Sequence, residues 1–278
     1  MARFQKYLKN EFQTQNFVLG HDNVTDFYVT CWQSNSSARW RSSSSLPLMC
    51  IRTLIFTGCL STWIASMVIT VPSTSAGSWF IFMTHWGVML NTFTSGFAVL
   101  VSVMVILNGP TDSNFGLPWY VKVYWALINI SLTIAIFITL FYWILLAGFT
   151  DEYDYGMDPV LDVFVHAINS VFMVVLLIFS RHPMRMLHFY FPLIVGIIYL
   201  LFTVIFHFAG GISPFGESWI YPMLDWAQPG QTLLLMFGSA IMFIVLHALV
   251  VGISVLRDAV TKRWTDSTVL NISDDRYN

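Results

Sequence analysis

The chain has 278 residues, of which 56% are hydrophobic, 17% aromatic and only 10% charged, with a mean hydropathy of +0.67. A soluble domain carries about a quarter charged residues, so a water-soluble globule is excluded. The net charge of −2 offers no basic surface to a nucleic-acid backbone. Cys31, Cys50 and Cys59 are too few for a disulfide scaffold. The polar start of the chain holds no apolar core followed by a small-residue cleavage site, so no removable signal peptide is expected.

A helix that crosses a bilayer needs about 20 mostly apolar residues, and the chain supplies six such stretches. Residues 1–45 form a polar N-terminal segment, in which Ser34–Ser45 (SNSSARWRSSSS) reads as a flexible tether. Spans are expected at Leu46–Thr70, Trp79–Leu107, Trp119–Leu146, Val160–Phe179, Phe189–Phe208 and Thr232–Val255, with a short tail at 256–278. The third is long enough to tilt or to project from the bilayer. The connections are too short to fold separately, and no internal repeat is present. The expectation is an all-α membrane protein, a bundle of six transmembrane helices forming one domain at 46–255.

Lys and Arg in short loops stay in the cytoplasm. Arg3, Lys6, Lys9, Arg39 and Arg41 precede the first span, and Arg52 lies just inside it. Lys122 flanks the second connection, Arg181 and Arg185 occupy the fourth, and Arg257, Lys262, Arg263 and Arg276 follow the last span. The first, third and fifth connections carry no base and hold Asp151, Glu152, Asp154, Asp158, Glu217 and Asp225 instead. Both termini are therefore expected to be cytoplasmic. The sequons at Asn23, Asn35, Asn129 and Asn271 then fall in the cytoplasm or the membrane, and no N-glycosylation is expected. Trp119, Trp125, Trp143 and Trp219, near span ends, read as interfacial anchors. His182 and His188 read as headgroup contacts, His247 as a packed, neutral, hydrogen-bonded ring, and Cys31 and Cys50 as candidates for palmitoylation.

Polar side chains in the bilayer core cost free energy unless they find partners. In the fourth span Asp162, His166, Asn169 and Met173 share one helix face; Thr84, Gly87, Asn91 and Ser95 do so in the second, and Gly196, Tyr199, Thr203 and His207 in the fifth. At about 1.5 Å per residue, Thr84 lies roughly 8 Å below Trp79 and His166 roughly 9 Å below Val160. The two sit at matching depth. His207 ends near the same face, with Trp219, Tyr221 and Asp225 in the connection above it. A hydroxyl, imidazoles and a carboxylate thus gather at the level of lipid ester groups. Asp162 and His166, at i and i+4, allow the carboxylate to accept from the ring and fix its tautomer. Helix packing accounts more simply for Asn91, Ser95, Asn169 and Thr203.

The segments Trp79–Gly87 (WFIFMTHWG), Phe164–Asn169 leading into Ser180-Arg181-His182-Pro183, and Trp219–Trp226 (WIYPMLDW), with the early Leu19-Gly20-His21-Asp22, resemble the rolling stone family over nearly the whole chain. That resemblance implies a multipass membrane protein with a role in insect myoblast fusion. A more distant similarity runs to the androgen-induced and androgen-dependent membrane hydrolases, which cleave fatty acid esters of hydroxy fatty acids. Those proteins place an intramembrane threonine nucleophile in the second span and a histidine in the fourth. The similarity implies Thr84, followed seven residues on by Asn91, as nucleophile and His166 as its partner, with Trp219–Pro222 matching the stretch before the last span. The N-terminal segment is longer here than in those hydrolases.

The leading expectation is a threonine-type lipid ester hydrolase, in which Thr84 attacks an ester carbonyl and His166 takes its proton and returns it to the leaving alkoxide. Asp162 or Asp225 orients the imidazole, and nothing in the sequence selects between them. His85, Asn91 and Trp219 are candidate oxyanion donors, and His207 a candidate substrate contact. The partners are then membrane lipids and a fatty acyl ester, with no cofactor and no metal; no protein partner is named by the sequence. The alternative is a non-catalytic membrane protein that promotes cell–cell fusion or adhesion. A zinc site of Asp162, His166, His85 or His207 lacks a paired-histidine motif, and transport lacks repeats and deeply buried charges. The family implies the plasma membrane and the hydrolases the endoplasmic reticulum.

Overall fold

The computed structural model describes residues 5, 9–19, 30, 45–72, 75–109, 116–147 and 158–274, with side chains as far as Arg263. The tether at 34–44, the sequons at Asn23 and Asn35, Cys31, residues 20–22, and Arg3, Lys6, Arg39, Arg41, Asp151, Glu152, Asp154 and Arg276 lie outside the described residues. So does the side chain of Asn271. Six helices are long and apolar enough to cross a membrane: α1 Leu46–Thr70, α2 Met83–Asn108, α3 Trp119–Leu146, α4 Pro159–Phe179, α5 Met186–Phe208 and α6 Pro229–Asp274. Lipid offers no hydrogen-bond partner, so a spanning segment must satisfy its own backbone. That requirement overrides the weak helix propensity of the many β-branched and aromatic residues. Among the described residues no strand occurs, and one antiparallel bridge links Thr30 to Ser180. We call the end of the bundle where α1 begins and α6 leaves the near end, and the opposite one the far end.

The start of α2 departs from the expected span. Trp79 belongs to a short helix, Ala76–Phe80, whose Ser75 cap accepts from the Ser78 amide; Phe82 is extended (φ −86°, ψ 129°), and α2 begins afresh at Met83. The break frees Trp79 to fold inward. Its indole N–H donates to Ser66 Oγ of α1 at 3.0 Å, and its carbonyl accepts from His85 Nδ1 at 2.6 Å. At the near end α2 stops at Gly109, whose φ of 81° suits glycine and whose amide reaches Val105 O. The start of α4 is set by Asp158, which accepts from the amides of Val160 and Leu161, with Pro159 in the first turn. At the other extreme α6 runs on to Asp274, so residues 256–274 extend the last helix.

Because lipid tails are as apolar as the helices, membrane helices associate through close packing and interhelical hydrogen bonds. Thr94 Oγ1 and Ser131 Oγ, 2.5 Å apart, join α2 to α3, and Thr139 donates to Ser170 Oγ at 3.0 Å to join α3 to α4. Gly87 lets α2 lie so close to α3 that a Cβ there would overlap Ile138 Cδ1. Among the described residues three core clusters result: one at the near end around Tyr124, Trp125 and Leu176, one at the far end around Phe137, Tyr199 and Phe243, and a small one of Val88, Leu161 and Val165.

The near end corrects several expectations. Arg52 is fully buried: it donates to Ala98 O (3.2 Å), Ser102 Oγ (2.8 Å) and Ser180 Oγ (3.3 Å), and its guanidinium lies 5.3 Å from the Tyr124 ring centroid. Arg257, from α6, donates to Leu177 O (3.0 Å), Ser180 O (2.7 Å) and His182 O (3.2 Å), covering the carbonyls left at the end of α4. The connection 180–185 is thereby drawn into the bundle, so His182 and His188 are fully buried and are not headgroup contacts. Burial, with Arg257 and Arg52 nearby, holds the His182 imidazole well below its ordinary pKa. Trp125 is likewise buried, donating to Pro183 O at 2.9 Å, and does not anchor at the interface; Trp119 and Trp143 are exposed. His247 is packed as expected, joined to Thr133 Oγ1 and Arg185 O. The N-terminal segment also docks here. Buried Glu11 pairs with Arg185 at 2.6 Å, and Phe17 stacks on Tyr190 with centroids 4.7 Å apart.

Candidate functional site

At the far end α2, α3, α5, α6 and the connection 209–228 line a small, partly open cavity. Its walls are largely apolar: Phe137, Ile138, Phe141 and Leu146 from α3, Leu235, Met236 and Phe243 from α6, and Leu224 from the connection. The polar exceptions are the Thr84 hydroxyl, the phenols of Tyr142, Tyr199 and Tyr221, and Ser239. Thr84 is almost fully buried in the first turn of α2, where the helix restarts after Phe82. Without that break it would sit a further turn down a continuous helix.

Tyr221 completes the N-terminus of α2. Its hydroxyl oxygen accepts from the Met83 amide at 3.1 Å, capping a helix end that has no side-chain cap of its own. Burial raises the Tyr221 phenol above its ordinary pKa, so the hydroxyl keeps its proton and is a donor beside Thr84. Tyr199 donates to Ile81 O at 2.8 Å and braces the break from the α5 side. The polar end of the cavity thus combines one aliphatic hydroxyl, one protonated phenol and a helix N-terminus favourable to developing negative charge.

The second constellation lies beside the first. His166 Nδ1 is 2.8 Å from Asp162 Oδ1 and 3.1 Å from Asp162 O. Both neighbours only accept, so Nδ1 carries a proton, and in the neutral ring Nε2 keeps its lone pair. Tyr142 donates its hydroxyl to Asp162 Oδ2 at 2.8 Å, while its ring stacks on the imidazole at 3.5 Å and 6°. Tyr142 therefore touches the cavity with one side and His166 with the other. Both residues sit in π turns, Tyr142–Leu146 in α3 and Phe164–Ile168 in α4, which is where membrane and soluble helices often place functional side chains. Among the described residues no hydrogen bond joins Thr84 to His166.

The other candidates are placed elsewhere. Asp225 accepts from the Ala227 amide at 2.9 Å and shapes the turn before α6; Asp162, not Asp225, holds the imidazole. His207 Nδ1 lies 3.4 Å from Ser218 O, and Trp219 stacks on Phe215; neither lines the cavity. Asn91 is buried outside it, and neither oxygen nor nitrogen of its amide finds a partner among the described residues. His85 stacks on Trp79 with centroids 4.3 Å apart, and its Nδ1–H is spent on the Trp79 carbonyl, so its other nitrogen is an acceptor and not an oxyanion donor. No three of His, Cys, Asp and Glu converge among the described residues. Sequence reasoning missed the role of Tyr142, which no spacing marks. Tyr221 stands in the sequence as a member of the connection above His207 and of the Trp219–Pro222 stretch, with no role of its own marked.

The fold and the site together define a multi-pass membrane protein with a largely apolar cavity in its far half. The chain belongs to the Rost family: the family model, described as Protein rolling stone, matches residues 1–269. It is 27% identical over 270 residues to Protein rolling stone of Drosophila melanogaster, covering 91% of each chain. No solved structure matches.

Proposed function

We propose that the protein is an intramembrane hydrolase of lipid esters, with Thr84 as nucleophile and His166 as general base. The observation that carries this reading is the apolar cavity whose polar end combines the Thr84 hydroxyl with the Tyr221 phenol, bordered through Tyr142 by the Asp162–His166 pair. An ester enters with its acyl chain among the apolar walls. Thr84 Oγ forms a bond to the carbonyl carbon and gives up its proton to His166 Nε2, while Asp162 keeps the ring oriented. The oxyanion accepts from Tyr221, and the ester C–O bond breaks as His166 returns the proton to the leaving alkoxide. Water then cleaves the acyl-threonine by the same base. Catalytic hydrogen bonds in unliganded sites are often long and tighten with substrate, and the hydrogen bond from Thr84 Oγ to Nε2 forms in that way. The basic near end is cytoplasmic in this reading, so the cavity opens in the opposite leaflet.

The test is labelling of the full chain in native membranes with a fluorophosphonate probe. Labelling of wild type that is lost in Thr84→Ala and His166→Ala at equal expression supports the hydrolase. A folded wild type that takes no label overturns it and leaves a non-catalytic protein of cell fusion or adhesion.

A further inference from the structure

The cavity has a floor. Phe137 of α3 and Phe243 of α6 stack with centroids 4.4 Å apart and 29° between planes, both buried. Phe243 can lie there because α5 presents Gly196 to it: a Cβ at Gly196 would come within 2.8 Å of the Phe243 ring. The height of Thr84 above this floor follows from packing. Gly87 meets Ile138 across the α2–α3 contact, and these neighbouring helices are antiparallel, so Thr84, three residues earlier, lies level with Phe141 and Tyr142. Phe137 is four to five residues further down α3, which is about 6–8 Å. An extended chain advances roughly 1.2 Å per bond, so a straight acyl chain has room for about six bonds beneath Thr84.

We propose that the Phe137–Phe243 pair is a chain-length stop, which makes the site selective for acyl groups of about six to eight carbons, and that Gly196 sets its position. This rests on the hydrolase reading for its chemistry but not for its geometry. Apart from the phenols and Ser239 the cavity lining is apolar, so selection within the series acts by fit. Each methylene forced against a rigid pocket wall lowers kcat/KM by roughly tenfold or more. Removing the Phe243 ring opens the floor, and adding a methyl at Gly196 pushes that ring upward into the cavity.

The experiment uses the full chain in lipid nanodiscs with p-nitrophenyl esters of 4 to 16 carbons, comparing wild type, Phe243→Ala, the milder Phe243→Leu and Gly196→Ala. The same variants on a Thr84→Ala background are photolabelled with diazirine fatty acids of the same lengths, which reads occupancy without catalysis. The expected result is a wild-type preference near six to eight carbons that falls at least about tenfold by 12 carbons. It moves to longer chains in Phe243→Ala and Phe243→Leu and to shorter chains in Gly196→Ala. A shifted labelling profile with no hydrolysis in any variant sinks the hydrolase reading and keeps the stop. Hydrolysis or labelling with the same length profile in all four proteins overturns the stop, as does the absence of any length preference.

Discussion

Arg257 offers a test of what holds the near end together. Its guanidinium supplies three carbonyls of the α4 terminus, Leu177, Ser180 and His182, and also touches Asp258, whose side chain is 57% exposed. Replacing Arg257 with Met keeps most of the apolar stem but leaves those buried carbonyls without their donor. Removal of one partner from a buried charged arrangement costs about 3–5 kcal/mol, because each stranded acceptor retains its desolvation penalty. For a chain of this size about 2–4 °C of melting temperature accompanies each kcal/mol, so Arg257→Met is expected to melt roughly 10 °C below wild type. Arg257→Lys, which cannot reach all three carbonyls at once, is expected to fall between. Asp258→Asn removes only an exposed partner, a pair worth about 0–1 kcal/mol, and is expected to melt within about 4 °C of wild type. Tryptophan fluorescence during heating in one detergent at one scan rate reads all three. If Asp258→Asn were as damaging as Arg257→Met, the salt bridge and not the carbonyl cap would be what matters.

Tyr142→Phe keeps the ring on His166 and deletes the bond to Asp162, a loss of about 1.5–3 kcal/mol; the rate of probe labelling is expected to fall at least roughly tenfold at unchanged expression, and an unchanged rate would remove Tyr142 from the site. Glu11→Gln breaks a nearly buried ion pair with Arg185, so limited proteolysis ahead of Leu46 is expected to speed by about tenfold or more; equal cleavage rates would mean that the segment is held by the contacts of Phe17 with Tyr190 instead. His182 is held below its ordinary pKa, so as pH falls through about 6.5 the unfolded chain takes a proton that the folded one refuses. Stability is complete above that pH and declines below it, by up to about 1.4 kcal/mol per unit. Melting temperatures measured from pH 7.5 down to 5 are expected to drop more steeply for wild type than for His182→Gln, and equal slopes would contradict the assignment.

The six spans were legible because lipid imposes one rule on every crossing segment, and composition alone reports it. The break before Met83 was not, since residues on both sides of Phe82 are apolar and hydropathy carries no dihedral angle. Asp162 and His166 were legible because i, i+4 spacing fixes their approach, and the i+4 contact survives the π turn that runs through it. The buried roles of Arg52, His182 and Trp125 were hidden for the opposite reason. Arg, His and Trp near a span end serve equally as interfacial anchors and as hydrogen-bonding glue, and only the path of the 180–185 connection decides which. Tyr142 and Tyr221 reach their positions from two different parts of the chain, so no local pattern announces them.

The bond from the Met83 amide to Tyr221, separated by 138 residues, also bears on the order in which the protein is made. During synthesis α2 enters the membrane long before the last connection exists. Its first amide must then remain paired with water, and the start of α2 stays hydrated until the final hairpin arrives. The chamber around Thr84 is therefore late to dry, and a chain halted before residue 221 would carry an open, wet α2 terminus that a quality-control protease or chaperone can distinguish from the finished protein.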